Sequence, residues 1–456
     1  MARIFPFRAF RYDAARFDLA RVLTQPYDKI TPEMQERYYA LDRHNLVRIE
    51  KGRAQPDDGP PSSVYTRAAQ SLDAWIREGV LRQDSAPSLY VCSQEFTAPG
   101  TGQQRVRRGF LALLGLEDYA AGVVFRHEQT HTAARVDRLE LLRHTRAHTG
   151  QLMMLFDDAG ARVTSLVARA MRAAPENEVK DEYGVVHRLW PLSDPAVLDS
   201  FVRAMSDRKL LIADGHHRYE TALAYRDECR SGDPVERDRT RGAGSAPDAP
   251  HEKTLVTLFA LQDPGVLVLP THRTVGGLAG FDFFAFRKSL ESIFDWYAYP
   301  FAAANERDAV LADFRHDLTA RARGESGRRV IGVYAGGGAF FLFVLRQDAD
   351  LDALLARVPP AQRSLDVVLL HRLLLEGKLG LTPEAVEREK NIGYHRDIAD
   401  ALAAVDAGAA QLAFLLNPVV LRQVYDVALS GNVLPQKSTD FYPKLLSGLA
   451  IYRLDG

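Results

Sequence analysis

Residues Asp214 to Arg218 read DGHHR, which places a carboxylate, two histidines and an arginine within five positions. Asp214 can accept a proton or hold a cation, and His216 or His217 can move a proton near neutral pH. Arg218 can bind an anion through two parallel hydrogen bonds. The cluster therefore predicts a site for a charged ligand. The alternative is a turn in which Asp214 only caps a helix and the histidines satisfy loop backbone.

This cluster lies where an apolar run meets a helical pattern. Lys209 to Ala213 is predicted to be a short buried strand, and Tyr219 to Arg230 carries apolar residues at the spacing of an amphipathic helix. Gly215 allows the chain to turn tightly between them. The N–H groups at the start of a helix carry partial positive charge, so the helix N-terminus is expected to face the same ligand.

A second group of chemical interest is HEQTH, His127 to His131, which matches the HExxH spacing of zinc hydrolases. That motif requires a helix through both histidines, but GVVFR before it is strand-like and the residues within it are indifferent helix formers. We predict no metal site here and retain Glu128 as a candidate acid or base.

Two further segments carry residues that can bind phosphate or carboxylate. LPTHR places His272 and Arg273 at the end of an apolar run. GNVLPQKSTDFYPK lacks the strand and second glycine of a phosphate loop, but it offers a positive charge, an amide and two hydroxyls. These are Gln436, Lys437, Ser438 and Thr439. The alternative for this segment is an exposed polar turn.

The length of 456 residues exceeds what one hydrophobic core usually supports, so two domains are expected. Hairpin-like strand pairs and scattered helices predict an α+β class rather than a regular βαβ array. Residues 232–252 are rich in Gly, Pro, Ser and charge, which indicates a flexible linker or a flap beside a site. The predicted domains are therefore 1–231 and 253–456.

Charge and composition narrow the functional classes. A formal net charge of -1 gives no basic field, which argues against a dedicated nucleic-acid binder. The sequence contains no apolar run of about eighteen residues, so we predict no membrane span. Two cysteines and a charged N-terminal stretch predict a reduced, cytoplasmic protein. The sequence leaves the oligomeric state open.

Five motifs together resemble a bacterial and archaeal family catalogued as domain of unknown function 1015. In chain order they are PYDKI from Pro26, HEQT, ADGHHRYETALAY, LPTHR and PQKSTDFYPK, and the resemblance extends from about Phe5 to Arg453. The DGHHR turn also resembles, over a few residues, the ParB and sulfiredoxin-like fold. Members of that fold bind nucleotide phosphates at a strand-turn-helix and include kinases acting on free serine. The resemblance implies that the first domain contains such a unit.

The function that this resemblance implies is phosphoryl transfer from a nucleotide to a small hydroxy compound, with free L-serine as the best candidate. ATP or ADP and Mg²⁺ are the implied cofactors. The expected acid and base groups are Asp214, Glu128, His216 and His217. The expected phosphate ligands are Arg218, His272, Arg273, Gln436, Lys437, Ser438 and Thr439.

Two alternatives from other functional classes stay open. One is a hydrolase, either a phosphoserine phosphatase or a zinc enzyme using His127 and His131. The other is a sensor that binds a nucleotide or an amino acid without turnover.

Overall fold

The computed structural model describes residues 1–59, 61–128, 132–232, 248–323 and 329–455. Its contacts divide the chain into two compact units. The first consists of Met1–Leu267 together with Pro443–Gly456, and the second of Val268–Tyr442. The second unit is therefore an insertion in the sequence of the first, and the last residues of the chain return to the first unit.

This division differs from the predicted boundary at 232–252, of which residues 233–247 lie outside the described residues. The strand Lys253–Ala260, assigned from sequence to a C-terminal domain, pairs with Gln104–Gly115 on one side and Leu152–Phe156 on the other. Hydrogen bonds on both edges make it an interior strand of the first unit. The residues on both sides of 233–247 belong to the first unit. A composition rich in Gly, Pro and Ser occurs both in loops within a domain and in linkers between domains, so it could not locate the boundary.

The first unit begins with two short strands and four helices, which are followed by further strands and helices. Its helices are α1 (Leu19–Val22), α2 (Pro32–Leu41), α3 (Val47–Glu50), α4 (Val64–Arg77), α5 (Thr132–Thr145), α6 (Arg162–Ala170), α7 (Pro195–Met205) and α8 (His216–Ser231). Its strands up to residue 267 are β1 (Ile4–Phe5), β2 (Phe10–Tyr12), β3 (Leu81–Gln83), β4 (Leu89–Thr97), β5 (Gln104–Gly115), β6 (Val124–Phe125), β7 (Ala147–His148), β8 (Leu152–Phe156), β9 (Asn177–Lys180), β10 (Val186–Leu192), β11 (Leu210–Asp214) and β12 (Lys253–Ala260). Single 3-10 turns span Tyr119–Ala121 and Pro250–Glu252.

Nine of the described strands form the main sheet, in the order β6-β11-β8-β12-β5-β4-β10-β9 with β1 added on β5. Most neighbours are antiparallel, and β11 with β6 and β12 with β8 are parallel. Strands β4 and β5 pair as an antiparallel hairpin, as the apolar segments SLYVCSQEF and RVRRGFLALLGL with turn residues between them predict. A core cluster that includes Phe110, Phe156, Leu258 and Phe201 covers the sheet with residues of α6 and α7. This mixed sheet with flanking helices confirms the α+β class.

Local sequence rules account for several element boundaries. The apolar spacing predicts a helix from Pro195 to Met205, and α7 spans these residues. The side chain of Asp194 accepts hydrogen bonds from two backbone N–H groups of the first turn, at 2.9 and 3.0 Å. Pro195 suits the first helical position because its missing N–H would have no partner there. The cap and the proline together fix where the helix begins.

The second unit has its own sheet and core. Its helices are α9 (Phe283–Lys288), α10 (Ala304–Arg323), α11 (Leu351–Leu354), α12 (Asp366–Leu369), α13 (Pro383–Glu387), α14 (Ile398–Asp406) and α15 (Leu421–Leu429), with a 3-10 turn at Pro360–Gln362 and a π-helical stretch at Leu370–Glu376. Its strands are β13 (Leu267–Leu269), β14 (His272–Val275), β15 (Phe294–Pro300), β16 (Val330–Tyr334), β17 (Ala339–Leu345), β18 (Ile392–His395), β19 (Leu412–Leu415) and β20 (Asp440–Tyr442). Six of these described strands form a sheet in the order β15-β17-β16-β19-β14-β18.

The C-terminal segment closes the first unit. Its strand β21 (Tyr452–Arg453) pairs with β7, and Ser447 forms a bridge with Thr24. Leu446 and Ile451 are buried in an apolar cluster with residues of the N-terminal helices. In the part of the chain that the structure describes, no helix is both long enough and apolar enough to cross a membrane.

Two glycines test this packing. A Cβ at Gly109 of β5 would lie 2.3 Å from the Leu258 carbonyl oxygen, whereas a Cβ at Gly160 would meet no atom within 4 Å. We expect Gly109→Ala to lower the free energy of unfolding by roughly 1–3 kcal/mol, because neighbouring backbone must move. Gly160→Ala should change it by less than about 0.5 kcal/mol. Urea denaturation measures both, and equal effects would contradict the close approach of β5 and β12.

Candidate functional site

The DGHHR segment has the predicted strand-turn-helix conformation. Strand β11 ends at Asp214 and helix α8 begins at His216. Gly215 between them has a φ of 95°, and a Cβ there would lie 2.8 Å from Leu152 Cδ2. Glycine is thus required both for the conformation and for the space. The pairing of β11 with β8 shifts register between Ile212 and Asp214, a bulge of the kind that re-aims a side chain.

Asp214 lies between two cations. Lys444 Nζ donates a hydrogen bond to Asp214 Oδ1 at 3.1 Å, and Arg218 Nη2 lies 3.6 Å from Asp214 Oδ2. Burial by itself would raise the pKa of Asp214, but the positive charges of Lys444 and Arg218 outweigh burial and lower the pKa to about 2. The carboxylate therefore stays ionised at neutral pH and is a weak general base there.

Arg218 is held by backbone and by several acids. Its Nη1 donates to the carbonyl oxygen of Gln151 at 2.7 Å. Burial lowers the pKa of Arg218, but the charges of Asp214, Asp28 and other groups overcome it, so the pKa is raised. Arg218 Nε has no hydrogen-bond partner among the described residues. One donor of a fixed guanidinium is thus left for a ligand or water.

Two histidines pack edge to face beside the turn. The rings of His127 and His216 are 4.8 Å apart at 70°. Burial lowers the pKa of both, and for His216 the neighbouring His127 lowers it further. His127 Nδ1 lies 2.8 Å from the carbonyl oxygen of Ile212, which can only accept, so Nδ1 carries the proton. His216 Nε2 has no hydrogen-bond partner among the described residues. Both rings are neutral at pH 7, and His217 follows in the first turn of α8.

The start of the HEQTH segment is not helical. His127 and Glu128 follow β6, and α5 begins at Thr132, while Gln129 to His131 lie outside the described residues. His127 therefore lacks the helical position that the HExxH arrangement needs. No group of three or more potential metal ligands occurs within residues 1–59, 61–128, 132–232, 248–323 and 329–455. The charges of Asp214 and Lys444 act on the pKa of His127, together with the charge of its sequence neighbour Glu128.

The PYDKI segment also reaches this turn, although sequence reasoning assigned it no chemical role. Lys51 Nζ donates to the carbonyl oxygens of Tyr27 and Ile30, at 3.1 and 2.6 Å, and so fixes the loop. The guanidinium of Arg138 lies 4.2 Å from the centre of the Tyr27 ring. Burial raises the pKa of Tyr27 to about 12, although Arg218 lowers it. The recurrence of PYDKI as a family motif was the only signal for this contact.

Besides the PYDKI segment, sequence reasoning missed Lys444. The prediction selected Lys437 from PQKSTDFYPK, but in the first unit Lys444 of the same motif pairs with Asp214. The two residues are 230 positions apart, so no local pattern connects them. The motif belongs to both units, since the division between them comes after Tyr442.

In the second unit, Arg273 supports the backbone of the QKST segment. It is buried, and its Nη2 donates to the carbonyl oxygens of Lys437 at 2.9 Å and Gln436 at 3.5 Å. Its Nη1 donates to the Thr271 carbonyl oxygen. Burial lowers the pKa of Arg273 to about 10. Arg273, which was predicted to bind phosphate, thus uses most of its N–H donors on backbone carbonyl oxygens. Its Nε has no hydrogen-bond partner among the described residues.

The other predicted ligands of the second unit lie around this arginine. His272 Nδ1 accepts a hydrogen bond from Leu416 N at 3.2 Å, and burial lowers the pKa of His272 to about 3. Lys437 has a left-handed φ of 56° and lies 3.9 Å from Glu389 Oε1, with half of its side chain exposed. Ser438 Oγ donates to the Pro435 carbonyl oxygen, and Thr439 follows it.

The predicted residues thus fall into two groups, one in each unit. Asp214, Glu128, His216, His217 and Arg218 belong to the first unit. Those of the second unit are His272, Arg273, Gln436, Lys437, Ser438 and Thr439. A single site shared by both groups remains a prediction.

A separate cleft of about 330 Å³ lies between α6 and the sheet of the first unit. Its walls include Phe110, Phe156, Val167 and Leu258, with Asp158 among the polar lining residues. Phe156 is at the opposite end of β8 from Met153, the partner of Asp214 in the sheet. The cleft is therefore distinct from the DGHHR turn.

A family model described as protein of unknown function (DUF1015) matches residues 4–368 of the chain. Because this match covers most of the sequence, the chain belongs to the DUF1015 family. This confirms the family resemblance, and four of the five motifs lie within the match, whereas PQKSTDFYPK lies beyond residue 368. A search of curated proteins found no match.

Solved structures of other proteins show only weak likeness. A conserved hypothetical protein from Pyrococcus furiosus matches with 13% identity and a TM-score of 0.30, over 72% of this chain and 92% of its own. A mutant free serine kinase in complex with AMP matches with 12% identity and a TM-score of 0.31, over 72% and 89%. SbnI with a C-terminal truncation from Staphylococcus aureus matches with 9% identity and a TM-score of 0.31, over 74% and 87%. Scores this low support no argument about function.

The pairing of Asp214 with Lys444 predicts a measurable coupling. In a double-mutant cycle of Asp214→Asn and Lys444→Met, we expect a coupling free energy of roughly 1–3 kcal/mol at pH 7, because both groups are largely buried. The folded pKa of Asp214 is below its usual value, so this contribution is present above about pH 4 and is lost as the pH falls toward 2. Urea denaturation at pH 7 and pH 3 measures the change.

The matched control is the pair of Lys437 and Glu389, whose side chains are half exposed. A cycle of Lys437→Met and Glu389→Gln should give less than about 0.5 kcal/mol at either pH. Equal coupling in the two cycles, or a coupling for Asp214 that grows on acidification, would contradict the assignment of Lys444.

Proposed function

We propose that this member of the DUF1015 family transfers a phosphoryl group from ATP or ADP to the hydroxyl group of a small compound, with free L-serine as the acceptor. The observation that carries the proposal is the ionised Asp214 held between Lys444 and Arg218 at the N-terminus of α8. Fixed cations and a helix N-terminus are what phosphoryl transfer requires, since its catalysis is mostly positioning and neutralisation of charge.

The phosphate groups are assigned to Arg218, Lys444 and the first turn of α8. Helix α8 is 16 residues long, and Gly215 at its N-cap has no side chain to occupy the N-terminus. A phosphate oxygen can take that place, where the helix dipole favours negative charge. Two buried atoms without partners among the described residues, Arg218 Nε and His216 Nε2, fit a site that a polar ligand completes.

Glu128 is assigned as the base that accepts the hydroxyl proton. Asp214 is a poor candidate at neutral pH because its pKa is about 2, so its role is to orient Lys444 and Arg218. Neutral His216 can hydrogen-bond the acceptor without adding charge. Magnesium would neutralise phosphate charge and would be held largely by phosphate and water, with Asp214 as the carboxylate at the turn that could contribute a ligand.

The residues of the second unit are proposed as an additional anion-binding group. Lys437 contributes a half-exposed ammonium, with Ser438 and Thr439 beside it. Arg273 acts on their backbone through the carbonyl oxygens of Gln436 and Lys437. In this proposal Arg273 shapes the segment, and Lys437 binds an anion at the second unit.

The test is phosphoserine formation from L-serine with ATP or ADP and Mg²⁺, followed by ³¹P NMR. We expect Lys444→Met and Arg218→Ala each to lower kcat by about 10²–10³-fold, because each removes a charge that stabilises the transferring group. Arg218→Lys should restore little, since an ammonium lacks the planar two-point grip. Lys437→Met is the comparison, and a larger loss there than in Lys444→Met would contradict the assignment to the DGHHR turn.

Glu128→Gln and Asp214→Asn separate the base from the residue that orients cations. Glu128→Gln should lower kcat by about 10²-fold or more with ADP affinity retained, because only proton transfer is lost. Asp214→Asn should lower both kcat and the affinity for ADP, because Lys444 and Arg218 lose the carboxylate that orients them. Kinetics and calorimetric titration of ADP distinguish the two patterns.

The same assays distinguish the alternatives. Binding of nucleotide or serine without turnover would favour a sensor. Hydrolysis of phosphoserine without nucleotide would favour a phosphatase. If the wild-type protein neither binds nucleotide nor transfers a phosphoryl group in either direction, the kinase proposal is wrong.

A further inference from the structure

A charged and polar pair lies in the middle of the main sheet of the first unit, outside the DGHHR turn. Arg107 of β5 and Gln94 of β4 face each other across paired strands. Arg107 has no exposed surface and Gln94 has 2%. Arg107 Nε donates to Gln94 Oε1 at 2.9 Å, and its Nη2 donates to the same oxygen. The proposed function uses neither side chain.

This pair binds two consecutive carbonyl groups of the returning chain. Arg107 Nη2 donates to the Pro443 carbonyl oxygen at 2.5 Å. Gln94 Nε2 donates to the Lys444 carbonyl oxygen at 2.8 Å. Lys444 in turn extends its Nζ to Asp214. A continuous series of hydrogen bonds therefore connects the buried arginine to the carboxylate of the DGHHR turn.

Stability alone does not explain a guanidinium at this place. A buried cation costs free energy unless it is well paired, and an apolar side chain of similar volume often serves a core as well or better. Burial lowers the pKa of Arg107 to about 10, which expresses that cost. The partners of Arg107 include an amide oxygen, a carbonyl oxygen, the Met153 sulfur at 3.5 Å and the Phe259 ring 4.7 Å away. The pair is thus suited to fixing backbone in one position.

Two segments of the first unit, one before the insertion and one after it, approach Arg107. Before the insertion, a Cβ at Gly265 would lie 2.3 Å from Arg107 N, so the chain passes directly over this backbone. After the insertion, Pro443 is the first residue back, and Arg107 binds its carbonyl oxygen. Arg107 thus contacts the chain on each side of the insertion. Its bond to the Pro443 carbonyl oxygen fixes the backbone directly before Lys444.

We propose that Arg107 and Gln94 are positioning residues that hold the backbone of Pro443 and Lys444 so that the Lys444 ammonium stays on Asp214. The value of this position to the reaction rests on the proposed function. The position itself does not, because it is a property of the protein without ligand.

The first test measures the reactivity of lysine amines toward acetic anhydride by mass spectrometry, with no ligand present. Only 12% of the Lys444 side chain is exposed, so Lys444 should react slowly in the wild type. Gln94→Glu keeps an acceptor for Arg107 but removes the donor to the Lys444 carbonyl oxygen. We expect at least a 10-fold faster reaction of Lys444 in Gln94→Glu, and likewise in Arg107→Lys, which loses the forked donor.

Internal controls report whether the effect is local. Lys51, whose Nζ is bound to two carbonyl oxygens of the same unit, should react at the wild-type rate in every variant that folds. Gln104→Glu alters an exposed amide of β5, the strand that carries Arg107, and should leave the reactivity of Lys444 unchanged. Unchanged reactivity of Lys444 in folded Gln94→Glu or Arg107→Lys overturns the proposal. So does a parallel increase for Lys51, since it would indicate general loosening.

The second test is kinetic and separates positioning from general structure. Gln94→Glu should raise KM for the nucleotide or lower kcat about 10-fold in the wild-type background. It should have no further effect in the Lys444→Met background, because its influence passes through Lys444. Equal effects in both backgrounds overturn the proposal. If the wild type has no phosphoryl-transfer activity but Lys444 labelling changes as expected, the proposed function fails and the positioning role stands.

Discussion

The partly buried carboxylate of Asp214, paired with Lys444 and Arg218, is the interaction on which the rest of the site depends. Removing a carboxylate from water costs several kcal/mol unless cations and hydrogen bonds replace the lost hydration. Arg218 is only four residues from Asp214, but Lys444 comes from a distant part of the sequence, so the chain must return after residue 442 to supply it. Because such clusters gain little stability compared with an apolar core, their arrangement is better explained by binding of charged groups.

The electrostatics at the turn follow from that arrangement. Burial keeps His127 and His216 neutral, so the positive charge is confined to arginine and lysine side chains of fixed position. The N-terminus of α8 adds a partial positive charge that does not titrate. A site of this kind favours an anion over a wide range of pH. In the proposed function the hydroxyl proton is therefore accepted by a separate carboxylate, Glu128, which follows His127 in the sequence.

The sequence predicted the elements formed by local rules. Asp214, Gly215 and the following helix occupy the expected strand-turn-helix, and the strand-like GVVFR before HEQTH correctly argued against a helix at His127. It did not predict contacts between distant segments, such as Lys444 with Asp214. Lys437 was the preferred lysine because hydroxyls adjoin it, whereas the partner of Asp214 is set by where the returning chain crosses the sheet. Composition similarly misplaced the domain boundary, since β12 pairs with strands of the first unit on both edges.

The most direct measurement for the central claim is a crystal structure of the protein with ADP bound. The account predicts diphosphate oxygens about 2.7–3.2 Å from Lys444 Nζ and from the Arg218 guanidinium, at the N-terminus of α8. It also predicts that the Asp214 carboxylate remains in contact with both cations. ADP bound elsewhere, for example in the cleft beneath α6 with the DGHHR turn free of phosphate, would contradict it.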